Sequence, residues 1–178
     1  MERYLGACVF DYPRQMRLTI SSTGFQNKTD IDDLTPYIDR STRPCLLLFT
    51  AEHRWSPTVR LLTARYGDRV HKAQGDVDGV AERLRSDPNS IVCGMMRYWT
   101  GLDVNALGLV VIDKVPYEPD FYPRRSFMNE LRLGNLWNND YIERCNAKLV
   151  QGLGRLIRNA ESRGRVAYIR DSRAWHPK

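Results

Sequence analysis

Three short runs of almost continuous apolar residues most constrain how this chain can fold. They are CLLLFT at 45–50, SIVCG at 90–94 and ALGLVVID at 106–113. Because apolar residues occupy neighbouring positions in each run, both faces of the corresponding strand are expected to be buried. Such strands are typical of parallel sheets that are covered on both sides. The runs therefore predict a central parallel sheet.

Three weaker strand candidates, rich in β-branched or aromatic residues, raise the expected number of strands to six. They are RLTI at 17–20, RVHKA at 69–73 and RVAYI at 165–169. Segments with helical spacing lie between the strands, at 30–40, 57–66, 77–85, 125–133 and 140–153. The alternation predicts right-handed βαβ units. We therefore expect an α/β domain, a mostly parallel six-stranded sheet with helices on both faces, whose functional edge lies beyond the carboxyl ends of the strands.

Length and composition fit one globular domain that spans residues 1–178. The chain is 42% hydrophobic and 27% charged, which is ordinary for a domain with a buried core. It has no run that approaches the roughly 18 apolar residues of a membrane span, and its beginning does not resemble a signal region. We therefore expect a cytoplasmic protein.

The cysteines and histidines do not have the spacing of a metal site. No CxxC pair occurs, and two of the cysteines lie inside apolar runs, where a small core residue is the favoured interpretation over a metal ligand or a disulfide. The cysteines are Cys8, Cys45, Cys93 and Cys145, and the histidines are His53, His71 and His176. The sequence thus predicts no metal site in this chain.

The positive charge is concentrated near the end of the chain. The net charge is +6, and residues 144–178 contain nine Lys and Arg against two Asp and Glu. A concentrated positive surface favours a polyanionic partner such as a nucleotide or a nucleic acid. A solvated basic surface without a partner is the alternative.

The segment QGLGRLIR at 151–158 contains the most informative charged residues. If it is helical, Gln151, Arg155 and Arg158 share one face at positions i, i+4 and i+7. Two guanidinium groups suit a polyphosphate, because each presents a planar set of donors that stays charged. Gly152 and Gly154 each cost a helix roughly 1 kcal/mol, which favours close approach of a backbone or phosphate. The spacing alone also fits an ordinary basic helix face.

Several segments, in order along the chain, resemble motifs of the DinG/XPD group of superfamily 2 DNA helicases. QGLGRLIR is similar to their motif VI, Q-G-x-G-R-x-I-R. CLLLFT followed by AEHR resembles motif IV, and YWTGLDV at 98–104, followed by LGLVVIDKVPYEP, resembles the stretch that contains motif V. FDY at 10–12 and DPNS at 87–90 match shorter family patterns. The resemblance covers nearly the whole chain and implies the second RecA-like domain, the C-terminal helicase domain, of such an enzyme.

The resemblance also implies roles for individual residues. Arg158 would be a catalytic arginine finger that meets charge developing on the γ-phosphate, with Arg155 beside it. The residues implied in nucleotide binding are Gln151, Gly101 and Asp103, the last of which would help to couple nucleotide to DNA. The residues implied in DNA binding are Thr50, Arg54, Arg97 and Trp99. Trp99 could stack on a base or brace the motif by packing, and packing is the favoured alternative.

Two departures from the family pattern affect the DNA contacts. Gly94-Met95-Met96-Arg97 stands where family members commonly have G-T-D-S, and Thr100 stands where an acidic residue is usual. Arg97 could supply a phosphate contact in place of a neutral donor. The residues WTGLD at 99–103 also resemble the CRISPR-associated DinG helicases of type IV systems, which leaves a CRISPR ribonucleoprotein open as a partner.

Half of an ATPase site is missing from the sequence. It contains neither a G-x-x-x-x-G-K-[ST] loop nor a D-E-A-H-like acidic motif after a strand. The resemblance therefore implies that ATP and Mg²⁺ are bound together with an N-terminal helicase domain, and that an iron–sulphur cluster, present in many members, could lie only in that domain. We expect the chain to be part of a longer protein and not to hydrolyse ATP alone.

Two functions follow from the resemblance. The leading hypothesis is the second motor domain of an ATP-dependent 5′-to-3′ DNA helicase or translocase, which supplies the arginine finger and part of the groove for single-stranded DNA. The alternative is a nucleic-acid-binding or scaffolding RecA-like module of a larger (CRISPR) ribonucleoprotein, without motor activity of its own.

Overall fold

Six parallel strands form one sheet at the centre of the fold. The computed structural model of the chain describes residues 12–21, 31–99, 102–116, 134–157 and 162–170. The strands are β1 Met16–Ile20, β2 Cys45–Leu48, β3 Val70–Lys72, β4 Ile91–Gly94, β5 Leu109–Ile112 and β6 Arg165–Ile169. Their order is β1-β6-β5-β2-β4-β3, and every neighbouring pair is parallel. The predicted α/β fold with a six-stranded sheet is confirmed.

Helices alternate with the strands along the chain. They are α1 Tyr12–Gln15, α2 Thr35–Arg40, α3 Glu52–Tyr66, α4 Val77–Ser86 and α5 Gly134–Leu153. Two short 3-10 turns occur at Gly67–Arg69 and Met96–Tyr98. The predicted helix at 125–133 lies outside the described residues. Across the described ranges, no helix combines the length and the apolar character that a membrane crossing requires.

The two faces of the sheet support separate hydrophobic cores. In β2, Leu46 and Leu48 point to one face, while Cys45 and Leu47 point to the other, and all four are at most 2% exposed. The first core includes residues of α4 and α5, and the second includes residues of α2 and α3. Burial on both faces explains why the strand sequences are continuous rather than alternating.

The cysteines that the structure describes are core residues, as predicted. Cys45, Cys93 and Cys145 are free thiols, and each is buried. Burial raises the pKa of Cys45 to about 11 and also raises that of Cys93. Thiols in this state pack as small apolar groups and are poor nucleophiles.

Three helices differ from the predicted boundaries, and one of them, α5, begins at Gly134, before the predicted start at residue 140. Helix α3 begins at Glu52, before the predicted start at Pro57, because Trp55 is buried and its indole N–H donates to the carbonyl of Cys93 at 2.9 Å. This contact fixes the first turn, and the helix continues through Pro57, which lies inside it and donates no i→i−4 hydrogen bond. Helix α2 begins only at Thr35, and residues 32–34 before it form a turn.

Backbone hydrogen bonds continue one residue beyond five strands at the carboxyl edge of the sheet, among them β2, β5 and β6. The amide of Phe49 donates to Gly94 at 2.9 Å, that of Asp113 to Leu48 at 3.0 Å, and that of Arg170 to Ile112 at 2.9 Å. The first residue after each of these strands is therefore held as firmly as the strand itself. Charged side chains at this edge are consequently fixed in place.

Candidate functional site at the carboxyl edge

A buried ionic network joins two strand ends to helix α3. The Arg54 guanidinium contacts both carboxylate oxygens of Asp113, Nη2 to Oδ1 at 2.9 Å and Nε to Oδ2 at 2.7 Å. Arg170 lies 3.6 Å from Asp113 and 3.2 Å from Asp33. Asp113 and Arg170 are buried. A bidentate pair of this kind is both strong and specific in direction.

Burial governs the ionisation of the groups in this network. It raises the pKa of Asp113 above its usual value, and the charges of Arg54 and Arg170 oppose that rise. The Tyr168 hydroxyl donates to Asp33 Oδ2 at 2.9 Å, and burial raises the pKa of Tyr168 to about 12. The charged groups of this network are thus paired with one another at the carboxyl edge.

Trp99 is a packing residue in this structure. It follows the 3-10 turn after β4, is 1% exposed and belongs to the core between the sheet and α5. A Cβ added at Gly152 would lie 3.0 and 3.1 Å from two ring carbons of Trp99. The glycines predicted the close approach of a backbone or phosphate, and the group that approaches Gly152 is the indole ring of Trp99. With so little of its ring exposed, Trp99 cannot stack on a base in this conformation.

Arg155 holds the segment that follows Trp99. Its guanidinium donates from Nη2 to the carbonyl of Trp99 at 2.8 Å, from Nε to the same carbonyl at 3.3 Å, and from Nη1 to the carbonyl of Leu102. The planar fork bridges two carbonyls three residues apart, with a separate guanidinium nitrogen for each contact. Motif VI and motif V are therefore joined directly through one side chain.

The predicted end of the helix at Leu153 is confirmed, so Gln151 and Arg155 do not share the helix face that was considered for residues 151–158. Helix α5 ends at Leu153, and residues 154–156 form turns. The amide of Gly154 donates to Val150 at 2.8 Å, and the amides of the next two residues bond only three residues back. The glycines end the helix, so Arg155 turns back towards Trp99 instead of sharing a helix face with Gln151.

Two further arginines hold the same segment by its carbonyls. Arg85 donates to the carbonyl of Asp103 at 2.7 Å. The buried side chain of Arg165 donates to the carbonyls of residues 105 and 106 at 3.2 and 3.4 Å, and also to that of Leu107. Together with Arg155, these arginines fasten residues 99–107, named here the 99–107 segment, along most of its length.

The remaining predicted site residues occupy different surroundings. Thr50 is half-buried at the carboxyl end of β2, immediately before α3, while Arg97, Asp103 and Gln151 are exposed. Gly101 and Arg158 lie outside the described residues. The structure therefore brings Trp99 and Arg155 together, and it places Arg54 on Asp113 rather than on an open surface.

The predicted set omitted the main partners of these residues. Asp113 and Arg170 each follow an apolar strand, Asp33 pairs with Arg170, and Arg165 contacts the 99–107 segment from the start of β6. A charged residue directly after a continuous apolar run was the available signal for Asp113 and Arg170. The carbonyl partners of Arg155 and Arg165 left no signal in residue type, because any residue supplies a backbone carbonyl.

Relatives of known sequence resemble this chain across most of its length. It is 29% identical to the ATP-dependent DNA helicase YoaA of Haemophilus influenzae over 92% of the chain and 27% of that protein. It is 30% identical to YoaA of Escherichia coli over 79% of the chain and 23% of that protein. The chain thus spans about a quarter of the length of these relatives.

A solved structure and a family model agree with these matches. The structure of an XPD helicase superposes with a TM-score of 0.66 at 16% identity, over 89% of this chain and 32% of that one. At this identity the superposition shows the RecA-like fold alone. The family model described as the helicase C-terminal domain matches residues 34–178. The chain therefore belongs to the helicase C-terminal domain family.

Proposed function

We propose that this chain is the second motor domain of an ATP-dependent DNA helicase or translocase that moves 5′ to 3′ on single-stranded DNA. Family membership and the names of the two relatives support this proposal. The chain contributes the arginine finger and one wall of the DNA groove. An N-terminal helicase domain contributes the phosphate loop, most contacts to ATP and Mg²⁺, and any iron–sulphur cluster.

The contact between Arg155 and the 99–107 segment is the observation that carries this proposal. A motor must transmit a change at the nucleotide to the residues that hold DNA. Arg155 lies three residues before Arg158 and donates to the carbonyls of Trp99 and Leu102. A shift of the 151–158 segment on ATP binding or hydrolysis would pull on the backbone next to Arg97 and Asp103. Arg155 acts in this proposal as a positioning residue.

The nucleotide contacts of the proposal lie beside that link. Arg158 acts as the finger that stabilises negative charge on the γ-phosphate in the transition state. Gln151 is exposed at the last turn of α5, so its amide is free to approach a nucleotide held by the partner domain. Gly101 and Asp103 complete this side of the nucleotide site.

In this proposal fewer residues contact DNA directly than the residue types alone suggest. Thr50 lies just before the N-terminus of α3. The N-cap residue of this helix is Ala51, whose side chain cannot accept a hydrogen bond from the first amides of the helix. Helix N-termini favour phosphate, so Thr50 and the exposed Arg97 are the direct contacts to the strand. Arg54 and Trp99 support them from within, because one is paired with Asp113 and the other is packed in the core.

DNA-stimulated ATP hydrolysis by this chain joined to a phosphate-loop domain tests the proposal. Arg158→Ala should lower the rate at saturating DNA by about 10³-fold or more, since a finger contributes that much in related phosphoryl transfer. Arg60→Ala, at an exposed position on α3, is the matched control and should hydrolyse ATP normally.

Two results would contradict the proposal at different points. An unchanged rate in Arg158→Ala would remove the finger assignment. No hydrolysis by the joined wild-type protein, with its phosphate loop intact, would instead favour the RecA-like module that binds nucleic acid or a ribonucleoprotein without motor activity.

A further inference from the structure

The amino edge of the sheet contains a cavity surrounded by arginines. It lies opposite the motif-bearing edge, has a volume of about 340 Å³ and reaches across the starts of four adjacent strands, β1, β6, β5 and β2. Its charged and hydroxyl-bearing lining residues are Arg17, Arg40, Arg43, Arg163, Ser41 and Thr42. We name this feature the arginine cavity.

The positive charge of the arginine cavity is not neutralised within the described part of the chain. All four arginines are exposed. No carboxylate lines the cavity, and none of the four forms an ion pair with a described residue. Like charges gathered in one concavity produce a positive potential that attracts anions. Arginine in particular matches phosphate, because each guanidinium presents a planar fork of donors.

The floor of the cavity is formed by close backbone packing. A Cβ added at Gly108 would lie 2.7 Å from Ser41 Oγ and 2.8 Å from Arg43 Cβ. The amide of Gly108 donates to Pro44 at 3.0 Å, and the amide of Val166 donates to Gly108 at 2.9 Å. The segment before β2, which carries Ser41 and Arg43, is therefore fixed against β5 and β6.

A second cavity on the same edge adds little free positive charge. It has a volume of about 300 Å³, shares Arg43 with the first and is also lined by Arg85 and Arg165. The guanidiniums of Arg85 and Arg165 donate to backbone carbonyls of the 99–107 segment, and Arg85 also pairs with Glu82 at 3.6 Å. The exposed arginines of the arginine cavity therefore form the basic surface at this end of the edge.

We propose that the arginine cavity binds successive phosphates of a single-stranded nucleic acid, at a second contact separate from the motif edge. Four exposed arginines spread across the starts of four adjacent strands fit a chain of phosphates, whereas fewer would be enough for one free phosphate. The contact reads the backbone and not the bases, so it binds strands of different sequence alike. It does not depend on the arginine-finger assignment.

Fluorescence anisotropy with a labelled oligothymidylate strand and the complete 178-residue chain tests this site. Arg40→Glu and Arg163→Glu should each weaken binding by roughly tenfold and should lower the slope of log affinity against log salt by about 0.7 to 1. Arg60→Glu changes charge equally at an exposed position on α3, and it should bind as the wild type does. Arg40→Lys should retain most of the affinity.

Several outcomes would overturn the site. One is that the wild-type chain does not bind the strand. Another is that Arg40→Glu and Arg163→Glu fold normally by circular dichroism but bind the strand as tightly as Arg60→Glu does. Displacement of the strand by inorganic phosphate, beyond the effect of chloride at equal ionic strength, would show a free-phosphate site and also contradict the proposal. Because the readout is binding by this chain without ATP, failure here leaves the ATPase test of Arg158→Ala unaffected.

Discussion

Two regions of the molecule bury arginine in different ways. At the carboxyl edge, Arg54 and Arg170 share the carboxylate of Asp113, whereas Arg155 and Arg165 donate to backbone carbonyls of the 99–107 segment. A carboxylate neutralises charge, and breaking that pair leaves a buried ion behind. A carbonyl is neutral, so breaking its contact with an arginine leaves no buried anion behind. The ionic network therefore suits a fixed support, and the carbonyl contacts suit a link that moves.

The two regions should differ most in how much unfolding free energy is lost when the acceptor of the arginine is removed. Asp113→Asn keeps the shape of the side chain but leaves two guanidiniums facing a neutral group. We expect it to lower the free energy of unfolding by about 3 kcal/mol, measured by urea denaturation at neutral pH. Asp39→Asn is the matched control, since its contact with Arg65 is 3.7 Å and half-exposed, and it should cost under ~1 kcal/mol. Equal losses in the two variants would contradict a supporting role for the network.

Removing one carbonyl-bound arginine should cost less. Arg165→Met fills the space of the apolar stem but leaves the carbonyls of residues 105–107 without this donor. The expected loss is about 2 kcal/mol in the same denaturation measurement. Arg163→Met, at an exposed position two residues earlier, should stay within ~0.5 kcal/mol of the wild type. A loss from Arg165→Met as small as that of its control would show that the segment does not need the arginine.

Packing of α5 against the start of the 99–107 segment should have a smaller effect. Gly152→Ala places a methyl group about 3 Å from the Trp99 ring, and the overpacking should exceed the roughly 1 kcal/mol that alanine gains in helix propensity. The expected net loss is about 1 kcal/mol in thermal or urea unfolding. Asn146→Ala, at an exposed position on the same helix, should be neutral or stabilising. A stabilised Gly152→Ala would mean that the glycine is not required by the indole.

The smallest expected effect is a difference in pH dependence. The pKa of Tyr168 is raised from 10.0 to about 12, so between these values the unfolded chain loses the proton while the folded chain keeps it. The contribution of Tyr168 is thus fully present below pH 10 and is lost as the pH rises towards about 12. Tyr168→Phe should flatten the fall in unfolding free energy over this range. Asn146→Ala should keep the wild-type slope, because it removes no titrating group. Identical slopes in all three proteins would contradict the assignment to Tyr168.

The sheet could be predicted because its signal is local. Residues 45–48 and 109–112 are apolar at every position, and burial on both faces allows few other structures. The end of α5 at Leu153 was also predicted, because Gly152 and Gly154 lie there. The same glycines argue against a helix face shared by Gln151 and Arg155, which the spacing alone had left open.

Contacts between distant residues explain what the sequence could not show. Arg54 and Asp113 are separated by 59 positions, and no spacing rule predicts that a cation after β2 meets a carboxylate after β5. An exposed phosphate contact was therefore a reasonable expectation for Arg54, although the guanidinium is occupied by Asp113. Trp99 differs from Arg54, because the sequence already favoured packing over stacking, and the buried ring opposite Gly152 agrees with that.

The link between Arg155 and the 99–107 segment is tested most directly by amide hydrogen exchange in Arg155→Lys. Lysine keeps the charge but puts one ammonium on a shorter stem in place of the three guanidinium nitrogens that contact the carbonyls of Trp99 and Leu102. Exchange between residues 98 and 104 should therefore accelerate by roughly tenfold, which is the loss of about one net hydrogen bond. Exchange in β4 should stay at its wild-type rate. Unchanged exchange in the 98–104 region would contradict the claim that Arg155 joins the two motif segments.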